Sequence, residues 1–495
     1  MKTPLATILT LATALTFASC SAAHAKATLS KIFSDGAILQ RGKPVTVFGT
    51  ANVGESVTIT LAGQSGTAVA DKDGKFFVTL PPNNGTGSYE LRVLGNQVQI
   101  IKNIRFGEVW LLAGDLSIDE SQSSTTPNID QNPKTDDEIA AGKDIKVFKV
   151  KINFSPSPAS ISTLKGHWDD LDSGSPAQKH NQLALQFAKT IKEHVCCPVA
   201  IIEVEGPKAP LRSWISKEAM ELKADSRAIA LKYTVDGDNF KVLNEHFAQG
   251  KLSPELAGMT SGLFNGMIAP LSPFTMRGII WRQGLGDMQS ALNYKLLLPL
   301  LISDLRASLR QEQLPLILVQ LGAVAQSNSA TAEESTASLI RFYQLKARLA
   351  PKTYLVLSLD LDKLNKESGK FETDIKTLSA RVAAAALTTQ YQKPTPYQSP
   401  VVELVEPEAD GLKLTLRHVG KGIVSRDKKK ITGFALAGWD HKYVDAEASL
   451  GDDSVLVTSD QVRQPKFVRY GWGNNPTLSL FNAEGLPLAP YTNDR

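Results

Sequence analysis

The chain has 495 residues, of which 42% are hydrophobic and 21% are charged, and its formal net charge is +4. This length exceeds what one hydrophobic core usually supports, so we expect two to four domains. The hydrophobic content excludes a disordered chain. The small net charge, with no basic stripe interleaved with aromatic residues, excludes nucleic acid as an expected partner.

Residues 1–25 have the pattern of a secretory signal peptide, because Lys2 precedes an apolar stretch that is followed by small residues. Two processing routes fit this pattern. One is cleavage after Ala25, and the other is acylation of Cys20, which would anchor the protein as a lipoprotein. No later stretch has the roughly 18 consecutive apolar residues of a membrane-spanning helix. We therefore predict an exported protein, periplasmic or secreted, without a transmembrane helix.

Residues 26–105 are predicted to form an N-terminal β-sandwich. Short β-rich runs such as "VTVFGT", "SVTITLAG" and "SYELRVLG" are separated by turn sequences such as "NVGE" and "DKDG". Strands at such regular spacing are typical of sandwiches.

Residues 106–395 alternate between apolar strands and amphipathic helices. The strands are "EVWLLAG", "PVAIIEVEG", "RGIIWRQG", "LPLILVQLG" and "TYLVLSLDL", and helices are predicted over 178–195, 291–311, 336–350 and 375–391. Near-continuous apolar strands that alternate with helices predict a parallel sheet covered on both faces. Ligands of such sheets bind beyond the carboxyl ends of the strands, so the residues that follow each strand are the candidates for function.

Residues 396–495 return to a β-pattern and are predicted to form a small C-terminal β-domain. After the signal segment, the remaining cysteines are Cys196 and Cys197, which are adjacent and which we expect to be buried and not bonded to each other. No pair of residues has the spacing of zinc ligands, so we predict no metal cofactor.

Long segments of the chain resemble the bacterial sialate O-acetylesterase family, a branch of the SGNH hydrolase superfamily. They include "LSKIFSDGAILQRGKPVTVFGTANVGESVTITLAG", "LFNGMIAPLSPFTMRGIIWRQG", "LRHVGKGIV" and "VRYGWGNNP". The resemblance covers nearly all of the mature sequence. It implies an α/β protein in which an SGNH-hydrolase-type parallel sheet is flanked by an N-terminal β-sandwich and a small C-terminal β-domain.

The resemblance also implies a reaction, the cleavage of acetyl esters on sugar hydroxyls. In the family a serine attacks, a histidine oriented by an aspartate acts as base, and backbone N–H groups with an asparagine form the oxyanion hole. Four sequence blocks carry these groups. Each block is altered here, and the altered positions are Asp115, Leu116, Ser117, Pro207, Lys208 and Asp287.

The first two blocks lose the nucleophile and an oxyanion donor. The family turn Ser-Gly-Gln-Ser-Asn-Met aligns with Ala-Gly-Asp-Leu-Ser-Ile over residues 113–118, so Leu116 takes the place of the nucleophile and Ser117 that of the asparagine. The turn Trp-Gly-Gly-Thr aligns with Gly-Pro-Lys-Ala over residues 206–209. Pro207 has no N–H to donate to an oxyanion.

The last two blocks lose the oxyanion asparagine and the base. In the block that begins at Gln283, the asparagine is replaced by Asp287, whose negative charge would oppose the transition state. The family's Asp-x-x-His block offers Asp360 and Asp362, but no histidine occurs between His246 and His418. The other histidines considered, none of which we expect to act as the base, are His167, His180, His194 and His418.

We therefore hypothesise a catalytically degenerate member, a pseudoenzyme without catalytic residues or cofactors. Its partners would be acetylated glycans or another exported protein. Two alternatives remain open. The chain could be an active carbohydrate acetylesterase that uses Ser117 as a displaced nucleophile, or it could be a structural envelope protein.

Carboxylates and aromatic residues give weaker signals. Asp115 and Asp287 follow different strands, so we expect them to face one crevice, where they could perform acid/base chemistry or bind a hard cation. The alternative is ordinary surface charge, in part neutralised by Lys208. Further acids expected near the rim are Asp119, Glu120, Glu203, Glu205, Asp360 and Asp362. Aromatic residues that could stack on sugars, but that we expect to pack instead, are Trp168, Trp439, Tyr470 and Trp472.

Overall fold

The computed structural model describes residues 27–116, 144–171, 180–324, 335–367, 369–409, 411–426 and 430–495. Several residues named in the sequence analysis therefore lie outside the described part of the chain, namely Cys20 with the rest of the signal segment, Ser117, Asp119 and Glu120.

The N-terminal part is built from strands in two sheets. The strands are β1 (Thr28–Leu29), β2 (Ile38–Gln40), β3 (Val45–Thr50), β4 (Ser56–Leu61), β5 (Gln64–Val69), β6 (Lys75–Leu80), β7 (Tyr89–Leu94) and β8 (Val98–Gly114). One sheet has the order β1-β3-β6, and in the other β5, β4, β7 and β8 are neighbours. Val57, Ile59 and Leu61 alternate inward along β4 and join a core shared by both sheets. Strand β8 continues through residue 105, the predicted domain boundary.

The central sheet is parallel over six strands and mixed as a whole. Its further strands are β9 (Ile145–Val150), β10 (Gly166–Asp170), β11 (Val199–Glu205), β12 (Gly278–Arg282), β13 (Leu316–Val319) and β14 (Thr353–Val356). The order is β10-β9-β11-β8-β12-β13-β14, and β10 alone in this series runs antiparallel to its neighbour. The predicted parallel sheet is thus confirmed for the apolar strands. Strands β9 and β10 were not predicted, because charged residues such as Lys146 and Lys149 interrupt them.

Helices cover both faces of this sheet. They are α1 (Gln182–Lys192), α2 (Lys217–Met220), α3 (Ala224–Lys232), α4 (Gly237–Ala248), α5 (Pro254–Ala257), α6 (Tyr294–Ser308), α7 (Thr336–Ala347) and α8 (Ile375–Gln390). Helices α1 and α8 pack on the face that carries Trp110 and Leu112, and α6 and α7 pack on the face that carries Trp281 and Leu318. The four predicted helices, now α1, α6, α7 and α8, are confirmed. No helix in the described ranges is long and apolar enough to cross a membrane.

The remaining strands follow α7. They are β15 (Asp362–Leu364), β16 (Phe371–Thr373), β17 (Val401–Glu408), β18 (Gly411–Arg417), β19 (Ile423–Ser425), β20 (Phe434–Ala437), β21 (Val444–Asp445), β22 (Glu447–Leu450), β23 (Ser454–Thr458), β24 (Phe467–Tyr470), β25 (Leu480–Asn482) and β26 (Tyr491–Thr492). Strands β17 to β26 form two four-stranded sheets and one two-stranded sheet around their own core. The guanidinium of Arg341, fully buried on α7, joins this part to the central sheet by donating to the carbonyls of Leu321 and Gly473.

Candidate functional site

The altered blocks all begin at one edge of the central sheet. The register pairs the last residues of the strands with one another, because Gly114 lies opposite both Glu205 and Arg282, and Val319 lies opposite both Arg282 and Val356. The first block includes the end of β8, the second and third directly follow β11 and β12, and the fourth lies in the segment after β14. The carboxyl-terminal edge therefore gathers the four blocks, and it is the candidate site.

The first block is held tightly against β12. Gly114 has a φ of +119°, and a Cβ at this position would overlap the carbonyl oxygen of Arg282. The N–H of Asp115 donates to that same oxygen at 2.8 Å. Asp115 is fully buried, and Leu116 is 1% exposed and belongs to the core beneath α1 and α8. The side chain of Leu116, which the family pattern predicts at the nucleophile position, is thus part of the hydrophobic core.

The second block is fixed by its backbone and by a tryptophan. The N–H of Gly206 donates to the carbonyl of Gly114 at 2.8 Å. The ring of Trp214 covers Gly206 so closely that a Cβ there would overlap it. Pro207 is half-buried and Lys208 is exposed. The N–H of Gly206 is therefore already used inside the sheet, and Pro207 has none to offer.

In the third block, Asp287 is turned into the protein. Its Oδ2 accepts hydrogen bonds from the N–H of Leu211 at 2.9 Å and from Nε2 of Gln283 at 2.7 Å. The carboxyl is fully buried, and burial raises its pKa to about 6 against the lowering effect of these donors and of Arg212. We expected Asp115 and Asp287 to face one crevice. The expectation is wrong, because both residues are fully buried and the carboxylate of Asp287 binds the backbone N–H of Leu211.

Gln283 is likewise used for structure. Its Nε2 donates to the carbonyl of Ala209, and its Oε1 accepts from the hydroxyl of Tyr294 at 3.1 Å. Nε2 of Gln344, on α7, donates to the backbone carbonyl of Gln283 at 3.0 Å. Sequence reasoning missed Tyr294 and Gln344, because both lie inside helices that read only as amphipathic. A polar residue on a buried helix face is the signal that could have found them.

In the fourth block, both aspartates have partners within the chain. Asp360 forms a bidentate ion pair with Arg381 of α8, at 2.7 and 2.8 Å, with a side chain that is 2% exposed. Asp362 accepts from the hydroxyl of Thr373 at 2.6 Å and from the N–H of Ala323 at 2.5 Å, and burial raises its pKa. Neither carboxylate has a histidine among these partners.

One histidine lies closer to the edge than the sequence indicated. Nδ2 of Asn181, the N-cap of α1, donates to the carbonyl of Leu116 at 3.3 Å, which brings the preceding residue, His180, next to the first block. The side chain of His180 is 2% exposed, and its Nε2 lies 3.9 Å from Oδ2 of Asp169. That His180 does not act as the base stays a prediction, and this contact makes it the histidine to test.

The other histidines lie elsewhere. His418 lines a cavity with residues of β14 and of the chain after α8, and Nδ1 of His194 lies 2.9 Å from the carbonyl of Thr190 at the end of α1. His167 is 67% exposed and lies 3.0 Å from Asp169.

A buried acid lies beside His180. Glu203 is 2% exposed, its Oε1 accepts from the N–H of Asn181 at 3.3 Å, and burial raises its pKa to about 7. Lys149 partly offsets this rise, and Glu205 and Asp169 add to it. Carboxyl groups with strongly shifted pKa values occur in functional sites and also in structural clusters of charged residues. The shifted pKa of Glu203 is therefore compatible with either role. In the described ranges, no group of three or more His, Cys, Asp or Glu residues is arranged to hold a metal ion.

Some of the aromatic residues and cysteines considered in the sequence analysis are buried, and others are exposed. Trp472 and Tyr470 are buried, and Trp168 packs on Phe148, as expected. Trp439 is 73% exposed, so the expectation that it packs in a core is wrong. Both cysteines are free, as expected, but the expectation of burial holds for Cys197 and is wrong for the exposed Cys196.

The chain is similar to known esterases over most of its length. Residues 256–388 match the family model described as carbohydrate esterase, sialic acid-specific acetylesterase. The chain is 22% identical to a sialate O-acetylesterase of Rattus norvegicus over 498 residues, which cover 91% of each chain. It is 20% identical to that of Homo sapiens over 503 residues, 93% of this chain and 91% of the human one.

A solved structure extends this similarity to the fold. A carbohydrate acetylesterase from Xanthomonas citri superposes with a TM-score of 0.78 and 26% identity, over 95% of this chain and 100% of that one.

Proposed function

We propose that this chain, which is similar to sialate O-acetylesterases over most of its length, is an exported, catalytically degenerate member of that family that binds acetylated glycans without cleaving them. The observation that carries this proposal is the burial of Leu116. The residue at the nucleophile position is 1% exposed and packs in the core, so it has no reactive group and presents no surface to a substrate. The signal pattern of residues 1–25 supports export.

The oxyanion groups support the same proposal. Pro207 lacks an N–H, and the N–H of Gly206 is bound to the carbonyl of Gly114. Asp287 takes the position of the family's oxyanion asparagine, but its Oδ2 accepts hydrogen bonds from Leu211 and Gln283 inside the protein. Its pKa of about 6 keeps it mostly ionised at pH 7, and an ionised carboxylate has no hydrogen to donate to an oxyanion. Catalytic groups that act as one unit have strongly non-additive effects, so the loss of one of them removes most of the rate enhancement.

A second candidate function is supported by the contact of Asn181 with Leu116. This hydrogen bond joins the residue that follows His180 to the residue that precedes Ser117, and Nε2 of His180 lies 3.9 Å from Oδ2 of Asp169. Ser117 itself lies outside the described residues. An active carbohydrate acetylesterase that uses Ser117 and His180 would take its nucleophile from the position next to that of the family's serine and its base from outside the four blocks.

An array of O-acetylated sialosides and their de-O-acetylated counterparts separates the candidates. The proposal predicts binding to acetylated glycans, with the acetyl groups still present by mass spectrometry after incubation. Release of acetate that is abolished by His180→Ala would instead support the second candidate. If the protein neither binds these glycans nor releases acetate, the proposal is overturned. A structural role, or assembly with another exported protein, would then remain.

A further inference from the structure

A cavity of about 290 Å³ lies along β14, the last strand of the central sheet. Its walls come from the end of α7 and the turn after it, from β14, from the chain over 397–401, and from His418. None of the described residues of the four altered blocks lines it. The cavity is therefore separate from the candidate active site.

The titratable side chains with positive or potentially positive charge are not balanced by a carboxylate in the described lining of the cavity. Arg348, Lys352 and His418 line it, and there is no carboxylate among its described lining residues. Nε of Arg348 is buried without a hydrogen-bond partner in the described part of the chain. Such an unpaired buried donor is costly and is satisfied when an acceptor enters.

The neighbouring carboxylate does not neutralise these groups. Glu403 acts on Arg348 and His418 from outside the cavity, and its Oε1 is held by Arg417 at 2.7 Å. Burial lowers the pKa of His418, and the positive charges of Arg348 and Arg417 lower it further. A ligand anion would reverse that repulsion.

The rest of the lining suits a sugar ring. The rings of Tyr354 and Tyr397 meet edge to face, with centroids 6.3 Å apart, and both line the cavity. Gln398 and Ser399 add an amide and a hydroxyl. A sugar presents C–H groups to aromatic faces and hydroxyls to polar side chains. The volume is at the lower end of ligand pockets, which fits one monosaccharide.

We propose that this cavity binds a carboxylate-bearing monosaccharide unit, with the carboxylate on Arg348 and the ring against the two tyrosines. The proposal rests on the glycan-binding function above for the choice of a sugar, whereas the anion site rests on the cavity alone. Arginine is suited to this role because its planar guanidinium binds a carboxylate through two parallel hydrogen bonds.

The test is a titration of the purified full-length protein with D-glucuronate, followed through the NMR signals of the His418 ring and by calorimetry. D-Glucose and acetate are the matched probes, since one lacks the carboxylate and the other lacks the ring. We expect glucuronate to shift the His418 signals and to raise its pKa. Arg348→Gln should weaken binding about tenfold, because a charge-assisted hydrogen bond is lost.

Lys72→Gln is the control variant, since it removes a positive charge from a side chain that is 91% exposed and does not line the cavity, and it should change the affinity for glucuronate by less than about twofold. His418→Asn is a second variant, used if Arg348→Gln unfolds, and it should also weaken binding. Equal affinity for acetate and glucuronate would overturn the sugar assignment. Unchanged affinity in both Arg348→Gln and His418→Asn would overturn the site.

These outcomes are distinguishable from failure of the proposed function. Acetate release from O-acetylated sialosides would contradict the proposed function and leave the glucuronate result standing. Glycan binding that survives both variants would support the proposed function and contradict this site.

Discussion

The carboxyl-terminal edge of the central sheet and the cavity along β14 differ in whether their charged side chains have partners of opposite charge or hydrogen-bond donors within the chain. At the edge, Asp287, Asp360 and Asp362 each accept hydrogen bonds from groups of the same chain. Along β14, Arg348 and His418 share a cavity whose described lining contains no carboxylate. The carboxylates at the edge are thus paired within the chain, whereas the positive groups along β14 meet no carboxylate in the described lining of their cavity.

The strongest test of the closed edge is to break its buried ion pair. Asp360→Ala leaves the guanidinium of Arg381 buried without its bidentate partner. We expect the free energy of unfolding to fall by about 3–5 kcal/mol, the usual cost of removing one member of a buried pair. Urea unfolding of the parent and the variant measures the difference.

The exposed pair of Arg417 and Glu403 supplies the control for that experiment, since their side chains are 64% and 48% exposed. Glu403→Ala should leave the unfolding curve close to that of the parent. If Asp360→Ala unfolds like the parent as well, Asp360 does not have the structural role assigned to it here.

Restoring the nucleophile is the next largest perturbation. Leu116→Ser places a hydroxyl in the core and removes buried methyl groups, so we expect a loss of about 2–5 kcal/mol in the free energy of unfolding. It should not create esterase activity, since the oxyanion donors remain absent. Leu116→Met keeps the volume and should cost less than about 1.5 kcal/mol. Ester hydrolysis by Leu116→Ser well above the parent would contradict this account of the edge.

The protonation of Asp287 predicts a smaller, pH-dependent effect. A carboxyl in the unfolded chain has a pKa near 3.9, and that of Asp287 in the folded protein is about 6. Between these values the unfolded chain releases its proton first, so this group lowers stability as the pH rises through the window. Below it, both states are protonated and the effect is absent.

Asp287→Asn removes this penalty and keeps an oxygen for the N–H of Leu211 and for Gln283. Above pH 6 the variant should be more stable than the parent by about 1–3 kcal/mol, and the difference should shrink toward pH 4. Thermal unfolding at several pH values measures it. A constant difference across that range would mean that Asp287 does not titrate as described.

The sequence predicted best what depends on long apolar patterns. The continuous strands "EVWLLAG" and "LPLILVQLG" and the four long helices are present as expected. Strands β9 and β10 were missed because their charged side chains break the apolar run. Local pattern cannot distinguish a solvated charge from one that a distant residue will pair.

The candidate site shows the same limit. The residue types at Leu116 and Pro207 could be compared with the family pattern without any structure. The partner of Asp360 lies on α8, and the contact that brings His180 to the edge is made by the cap of α1. Both depend on packing between elements far apart in sequence. The exposure of Trp439 and the unpaired Nε of Arg348 depend on tertiary structure in the same way.

Hydrolysis of 4-nitrophenyl acetate and of an O-acetylated sialoside by the purified mature protein tests the central claim most directly. Ser117→Ala and His180→Ala variants should be assayed beside the parent. The account predicts that all three release acetate no faster than buffer does. Turnover by the parent that is abolished in either variant would contradict it, and would make this chain an esterase with a displaced catalytic serine or base.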